Sequence, residues 1–392
     1  MEALLAMRKE KLFIINRSFW PIYPVIGEAL MQFAEQEAKA GYVGVIMQDH
    51  VGIAKKTQES GRGQGVHFFP ARAWSVSGSG IARRILDAVF FMFWVFFVLV
   101  WQRPTKVYVS TDPPVLVPFI VMLYSKVFGA RYIYHLQDIH PEATNVVLPV
   151  RPIVFRFFRW LDALTMRHAD LLITITEEMA GEIKNRSRTS APIQVLANPS
   201  VAFDGINNTD KQLGFSFCGN AGRLQRIPLL IEAIKKYSST GGCLPFVFAG
   251  AGIYAPELKE LAKSHSNVTY KGLISAQEAA QINASYQWAL LPIEDEVTRY
   301  AFPSKSSSYV YSGAFIAAVC GQQTSVAQWV MNNKLGCVIE PSVNDLVKYF
   351  FAVERNEIDI TGLDAERAEL KARLGFDVFV ANLTKLIMRE HE

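Results

Sequence analysis

Short runs rich in Val, Ile, Phe and Tyr alternate along this chain with longer stretches in which apolar residues return every three or four positions. Such alternation predicts strands joined by helices, the pattern of parallel α/β sheets. In the first half it predicts strands over 11–16, 43–48, 66–69, 106–110, 132–134, 171–174 and 194–196. Helical periodicity fills most of the gaps, over 27–40, 81–101, 118–127, 153–168 and 177–184.

The pattern then breaks. Residues 198–211 read NPSVAFDGINNTDK, polar and rich in turn formers, which predicts a linker. A second series starts at Leu213, with strands predicted over 215–218, 246–249, 268–271, 289–291, 315–319 and 337–339. Residues 364–389 read as a helix, apolar at Leu370, Leu374, Phe379, Leu383 and Ile387, acidic at its start and basic at its end, as the helix dipole favours. The chain thus divides into a first domain over 1–197, a linker over 198–211, a second domain over 212–365 and a C-terminal helix over 366–392. At 392 residues, each domain is large enough to bury its own core. Doubly wound sheets bind ligands at their strand C-terminal edges, so an active site is expected in a cleft between the halves.

The longest apolar run is 88–101, AVFFMFWVFFVLVW, fourteen residues without a charge. A helix of that length covers about 21 Å, short of the roughly 30 Å hydrocarbon core of a bilayer. Asp87 limits it on one side and Gln102-Arg103-Pro104 on the other. Its seven aromatics are Phe90, Phe91, Phe93, Trp94, Phe96, Phe97 and Trp101, and Arg83, Arg84, Arg103 and Lys106 flank it. A buried core helix and a helix lying in a membrane interface both fit; a full span fits less well.

Half the residues are hydrophobic and 19% are charged, which excludes a disordered chain. A net charge of +4 without a Lys/Arg block argues against nucleic acid as a partner. Cys218, Cys243, Cys320 and Cys337 form no CxxC pair and have no His at metal-ligand spacing, so they are expected as small buried residues in a reducing compartment. The first twenty residues lack the apolar core and cleavage site of a signal peptide. A cytoplasmic location is expected, peripheral at the inner membrane face if the apolar run docks there.

Three segments carry candidate chemistry. Phe217-Cys218-Gly219-Asn220-Ala221-Gly222-Arg223-Leu224-Gln225-Arg226 runs from a strand through a glycine turn into a helix. Small residues there let backbone N–H groups approach an anion, and Arg223 and Arg226 offer charge-assisted bonds to phosphate. A second turn, Ala249-Gly250-Ala251-Gly252, follows the next strand, where glycines commonly serve packing alone. In Phe302-Pro303-Ser304-Lys305-Ser306-Ser307-Ser308, Lys305 begins a helix, unfavourable for the dipole but well placed for an anion.

The order of these elements resembles the C-terminal domain of GT-B glycosyltransferases, specifically retaining glycosyltransferase family 4 and its bacterial O-antigen, capsule and exopolysaccharide enzymes. YHLQDIHPE at 134–142 and PSK at 303–305 are its most specific motifs. The resemblance implies two Rossmann-like domains facing a cleft, with a C-terminal helix returning toward the first. It implies a nucleotide-sugar donor of the UDP or GDP type and a glycan acceptor on a polyprenyl diphosphate. Carried over by position, Gly219 and Asn220 lie at the donor diphosphate, Lys305 neutralises it, Gly272 and Leu273 border the base, and Ser308 faces the ribose or sugar. Gly27, in Tyr23-Pro24-Val25-Ile26-Gly27, falls on the loop that relatives place against phosphate and acceptor. His135 and Asp138 face the cleft near the reacting carbon.

Two departures stand out. Relatives often carry a Glu pair where this chain has Tyr300 and Ser308, and Arg and Lys where it has Asn220 and Gln225. Arg223, Arg226 and Lys305 are then the cations for the leaving phosphate. No Asp-x-Asp metal clamp is present, so metal-independent transfer without a cofactor is expected. Asp138 is the candidate base or positioning group for the acceptor, and His135 a hydrogen-bonding partner of the donor sugar; packed-turn roles remain open for both. A sugar-nucleotide epimerase and a non-catalytic membrane-associated scaffold are the rival readings, and Glu294, Asp295 and Glu296 read as a solvated loop.

Overall fold

Helices follow nearly every strand and return the chain to the same sheet edge, which is what parallel pairing demands. In a computed structural model the described residues are 10–21, 23, 25–49, 52–75, 80–200, 206, 210–363 and 366–388. The chain forms two units, Met1–Pro199 with Phe376–Glu392, and Ser200–Gly375.

The first unit holds a seven-stranded parallel sheet of β1 (Lys11–Ile15), β2 (Tyr42–Asp49), β3 (Val66–Arg72), β4 (Lys106–Ser110), β5 (Arg131–Leu136), β6 (Leu171–Thr174) and β7 (Ile193–Val195). Their order is β3-β2-β1-β4-β5-β6-β7, which reverses direction between β1 and β4. Central β4, KVYVS, is buried throughout, as a strand covered on both faces must be. The connecting helices are α1 (Ile26–Glu37), α2 (Ile53–Glu59), α3 (Ile81–Gln102), α4 (Leu116–Phe128), α5 (Glu142–Val147), α6 (Pro152–Arg167) and α7 (Glu177–Ser187). Right-handed crossovers toward β3 put α1 and α2 on one face, and those toward β7 put α3, α4, α6 and α7 on the other. Along that second face α4 packs between α3 and α6.

The second unit repeats the plan. Its strands are β8 (Gln212–Cys218), β9 (Phe246–Ala249), β10 (Val268–Tyr270), β11 (Tyr286–Pro292), β12 (Phe315–Val319) and β13 (Gly336–Ile339), in the order β10-β9-β8-β11-β12-β13. Its helices are α8 (Ile227–Ser239), α9 (Ala255–Ser264), α10 (Ala276–Ser285), α11 (Lys305–Ser312), α12 (Ser325–Asn332), α13 (Val343–Glu354) and α14 (Arg367–Arg373). Phe215, Tyr237, Phe246 and Phe350 stack into the centre of its core.

Three expectations need correction. Residues 364–389 are not one helix. α14 stops before Leu374-Gly375, where the Leu374 carbonyl accepts the Ser200 N–H instead of continuing a helix, and α15 (Phe376–Met388) packs on α1 in the first unit. The apolar run is longer than its uncharged stretch suggested. Ala82–Gln102 is 21 residues, and an 18-residue stretch of it has mean hydropathy 2.1, so it is long and apolar enough by length and composition to cross a membrane. Asp87 does not end the helix, because its fully buried carboxylate is bonded within the domain, accepting hydrogen bonds from Gln48 Nε2 at 2.7 Å, from the Trp74 and Ser75 N–H groups and from the Ser75 hydroxyl. Of the cysteines, Cys243 is exposed. Much of the expected linker, 201–205 and 207–209, lies outside the described residues, as does Pro24.

Candidate functional site

In the second unit the strand order reverses between β8 and β11, and the loops after such a pair form the natural ligand crevice. The β8 loop begins at Gly219 (φ +150°), and α11 lays Lys305 against it. Lys305 Nζ sits 3.8 Å from the centre of the Phe217 ring, and a Cβ on Gly219 would stand 3.0 Å from it. The Nζ is enclosed and has no hydrogen-bond partner among the described residues. The side chain as a whole keeps some exposure, so it is the ammonium end that is shut in. Burial pushes it down from the usual lysine range to about 7. An enclosed cation with no counter-charge is costly unless an anion joins it.

The neighbouring loops hold this one in place. Gly219 N–H donates to the Ala249 carbonyl at 2.9 Å, Ala221 N–H to Ala251 at 2.7 Å, and Gly250 N–H to Gly272 at 2.7 Å. Those amides are therefore committed to loop packing, and the Gly222 N–H is taken by the Gln225 side chain at 3.1 Å. Gly250 is required outright, since a Cβ there would fall 2.0 Å from the Gly219 carbonyl oxygen. The loops after β8, β9 and β10 thus form one ledge that carries Gly219, Asn220, Gly272 and Leu273. Asn220 is exposed, as is Leu273, while Ser308 is buried in α11.

Arg226 does not supply a free cation. Its guanidinium donates to the Ile293 carbonyl at 2.7 Å and pairs with Asp295 at 2.9 Å and Glu294 at 3.1 Å. Arg226 starts α8 in a left-handed conformation (φ 42°) and turns back across the β11 loop, which neutralises it. Nor is the acidic run only a solvated loop: Asp295 also accepts the Gly321 N–H at 2.9 Å and so ties together the loops after β8, β11 and β12. Arg223 lies in the exposed 3-10 turn that follows Gly222.

In the first unit the reversal point lies between β1 and β4, and the loops after β1, β4 and β5 cross-link there. Asp112 pairs with Arg17 at 3.1 Å and accepts the Ser18 N–H at 2.9 Å. Thr111 Oγ accepts the Gln137 and Asp138 N–H groups at 3.1 and 3.3 Å. The Asp138 carboxyl is raised to about 6, first by burial and then by the charge of Asp112. That value suits a group that takes a proton near neutrality.

His135 and Gly27 belong elsewhere. His135 is not past the strand but within β5, fully buried, with Nδ1 2.5 Å from the Tyr108 hydroxyl and Nε2 2.9 Å from Gln137 Nε2. Burial lowers it to about 3, so the ring stays neutral. It is a core histidine. Gly27 is buried in the first turn of α1, where a Cβ would lie 2.8 Å from the Trp20 nitrogen, so it admits close packing of the chain there.

Two groups went unnoticed in the sequence. Asp112 follows a strand in Ser110-Thr111-Asp112-Pro113, a polar turn at a sheet edge that could have drawn attention. Arg186 carries no such signal. Fully buried, it pairs with Asp162 at 2.9 Å and Glu142 at 3.0 Å and donates to the His140 carbonyl at 2.6 Å. Tyr134 donates to Asp162 at 2.9 Å. This network clamps the 138–142 loop, so Glu142 of the YHLQDIHPE motif is a support.

Residues 26–199 match the family described as Glycosyl transferase 4-like domain. A probable glycosyltransferase, WbjE of Pseudomonas aeruginosa, is 22% identical over 278 residues, 67% of this chain and 68% of that protein. Sucrose-phosphate synthase from Thermosynechococcus elongatus shares the fold with a TM-score of 0.70 at 12% identity, over 96% of this chain and 98% of that one. The lipopolysaccharide outer core galactosyltransferase WaaB gives 0.61 at 14% identity, over 97% and 99%. An E. coli trehalose-6-phosphate protein bound with UDP-2-fluoro glucose gives 0.67 at 8% identity, over 97% and 100%. The fold is that of GT-B glycosyltransferases, and the chain is an enzyme that transfers sugars.

Proposed function

We propose that this sugar-transferring enzyme takes its sugar from a UDP- or GDP-type nucleotide donor and passes it, with retention, to a glycan on a polyprenyl diphosphate, in the synthesis of bacterial surface polysaccharide. The observation that carries the donor assignment is Lys305: an enclosed ammonium without a hydrogen-bond partner among the described residues, beside a glycine loop, at the reversal point of the second sheet. A diphosphate there supplies the missing counter-charge and returns the lysine to its protonated form. As the sugar leaves, negative charge grows on the phosphate, and the ammonium is worth most at that moment. Asn220, Gly272 and Leu273 line the same ledge, where base and ribose are placed. The UDP-sugar in the structurally similar E. coli protein supports the donor class, and WaaB, a lipopolysaccharide outer core galactosyltransferase of the same fold, supports the surface-polysaccharide role.

Retention on one face needs no protein nucleophile, because the acceptor hydroxyl gives its proton to the leaving phosphate. Asp138 is assigned to hold that hydroxyl. Metal independence belongs to the same reading, with Lys305 in place of a cation clamp. The deciding experiment is thermal stabilisation by a panel of nucleotides and nucleotide sugars. One donor class should stabilise the wild type and leave Lys305→Ala unmoved. No stabilisation by any of them sinks the assignment. The anomeric configuration of the product tests retention, and activity in EDTA tests metal independence.

A further inference from the structure

The outer face of α3, α4 and α6 stands exposed among the described residues. Only 28% of the apolar stretch of α3 is buried. Phe91, Val95, Val98 and Leu99 point into the domain, while Phe93, Phe96, Phe97 and Trp101 stand exposed. The neighbouring helices continue the same surface. Leu123 and Val127 are exposed on α4, and on α6 Ile153 is 78% exposed, beside Phe157 and Trp160. Three adjacent helices therefore share one apolar outer face, larger than the single run visible in the sequence.

Its charge has one sign. In α3, α4 and α6 the acidic side chains are Asp87 and Asp162, both fully buried, so no negative charge reaches the surface from these helices. Arg83 and Arg84 stand exposed at the start of α3, Arg103 at its end, and Arg151 and Arg156 at the start of α6. An apolar, aromatic face whose own helices expose only cations matches a layer of acidic headgroups over hydrocarbon. A protein partner has no reason to require one sign throughout.

We infer that the α3–α4–α6 face docks on the surface of an anionic bilayer and that α3 lies in the interface without crossing it. The fold supplies the second half. α3 is the crossover between β3 and β4, and its Asp87 is bonded to Gln48 and Ser75, so a transbilayer course would pull apart the sheet it covers. The inference rests on the proposed lipid-linked acceptor only in naming where that acceptor is met.

Flotation of the full chain with vesicles tests it. Vesicles of phosphatidylcholine with one quarter phosphatidylglycerol should carry the protein up, and pure phosphatidylcholine vesicles should carry far less. Replacing Arg83, Arg84 and Arg156 by Gln should weaken binding roughly fivefold per residue, about 100-fold together. The variant with Phe97→Ser, Trp101→Ser and Trp160→Ser should stay at the bottom of the gradient. Both variants should keep the nucleotide-sugar stabilisation of the wild type, which shows that they fold and separates this inference from the donor assignment. Equal flotation with both lipids, or flotation of the serine variant, overturns the docking face. So does a dimer that the serine changes dissolve while vesicles stay unbound, since a second copy then covers the face. Resistance to extraction by alkaline carbonate overturns the interfacial placement in favour of a span.

Discussion

Replacing Lys305 by Met should make the protein more stable and its donor binding worse. Methionine keeps an unbranched apolar stem but loses the enclosed charge and with it the Nζ contact over the Phe217 ring. Moving the ammonium from 10.5 down to about 7 corresponds to about 5 kcal/mol of native-state penalty below pH 7. The sign follows from proton counting. Between pH 7 and 10.5 the unfolded lysine holds more proton than the folded one, so wild-type stability rises with pH across that window. The penalty is full below pH 7, falls to about 2 kcal/mol at pH 9 and is gone above 10.5. Urea unfolding of wild type and Lys305→Met at pH 6 and pH 9 reads it directly. The variant should lead by several kcal/mol at pH 6 and by much less at pH 9. In thermal scans the pH 6 lead is about 2–4 °C per kcal/mol for a unit of this size. Donor at a hundredfold excess over its Kd should add about 2.7 kcal/mol to the wild type alone. A variant less stable than wild type at pH 6, a gap that ignores pH, or equal stabilisation by donor would refute the reasoning.

Asp138→Asn should cut the transfer rate by about 100-fold or more while the nucleotide-sugar affinity stays put; a matching loss of affinity would mean a structural role. In the wild type the rate should fall as pH drops through about 6, where Asp138 takes up its proton, and Asp112→Asn should move that limb to lower pH by removing the like charge. Arg186→Ala leaves Asp162 buried without its cation and Glu142 with Arg159 alone, and should cost about 3–5 kcal/mol in urea unfolding; a cost near zero would show that the network is not closed. Gly250→Ala drives a Cβ into the Gly219 carbonyl and should abolish donor stabilisation, whereas Gly272→Ala (φ +69°, open space) should cost only about 1–2 kcal/mol.

The fold was legible because parallel strands are buried on both faces. Runs such as Phe246–Ala249 and Phe315–Val319 are apolar from end to end, and Lys106–Ser110 is apolar between its polar ends, so they announce themselves locally. Short α2 and α5 do not, because seven and six residues show too little period. The candidate site was legible only in part, and the misreadings share a cause. His135 and Gly27 were placed by position, yet whether a residue at the end of a strand faces solvent depends on where the strand stops, and β5 runs through His135 to Leu136. Arg226 was counted as a free cation because Asp295, its partner, is 69 residues away. Lys305 shows the converse: nothing local tells that Phe217 and Gly219 enclose it, and yet that enclosure makes its charge demand an anion. Residue type and spacing can name the groups that carry charge. Only the packed structure shows which charges are already answered, and Lys305 Nζ is enclosed without a hydrogen-bond partner among the described residues.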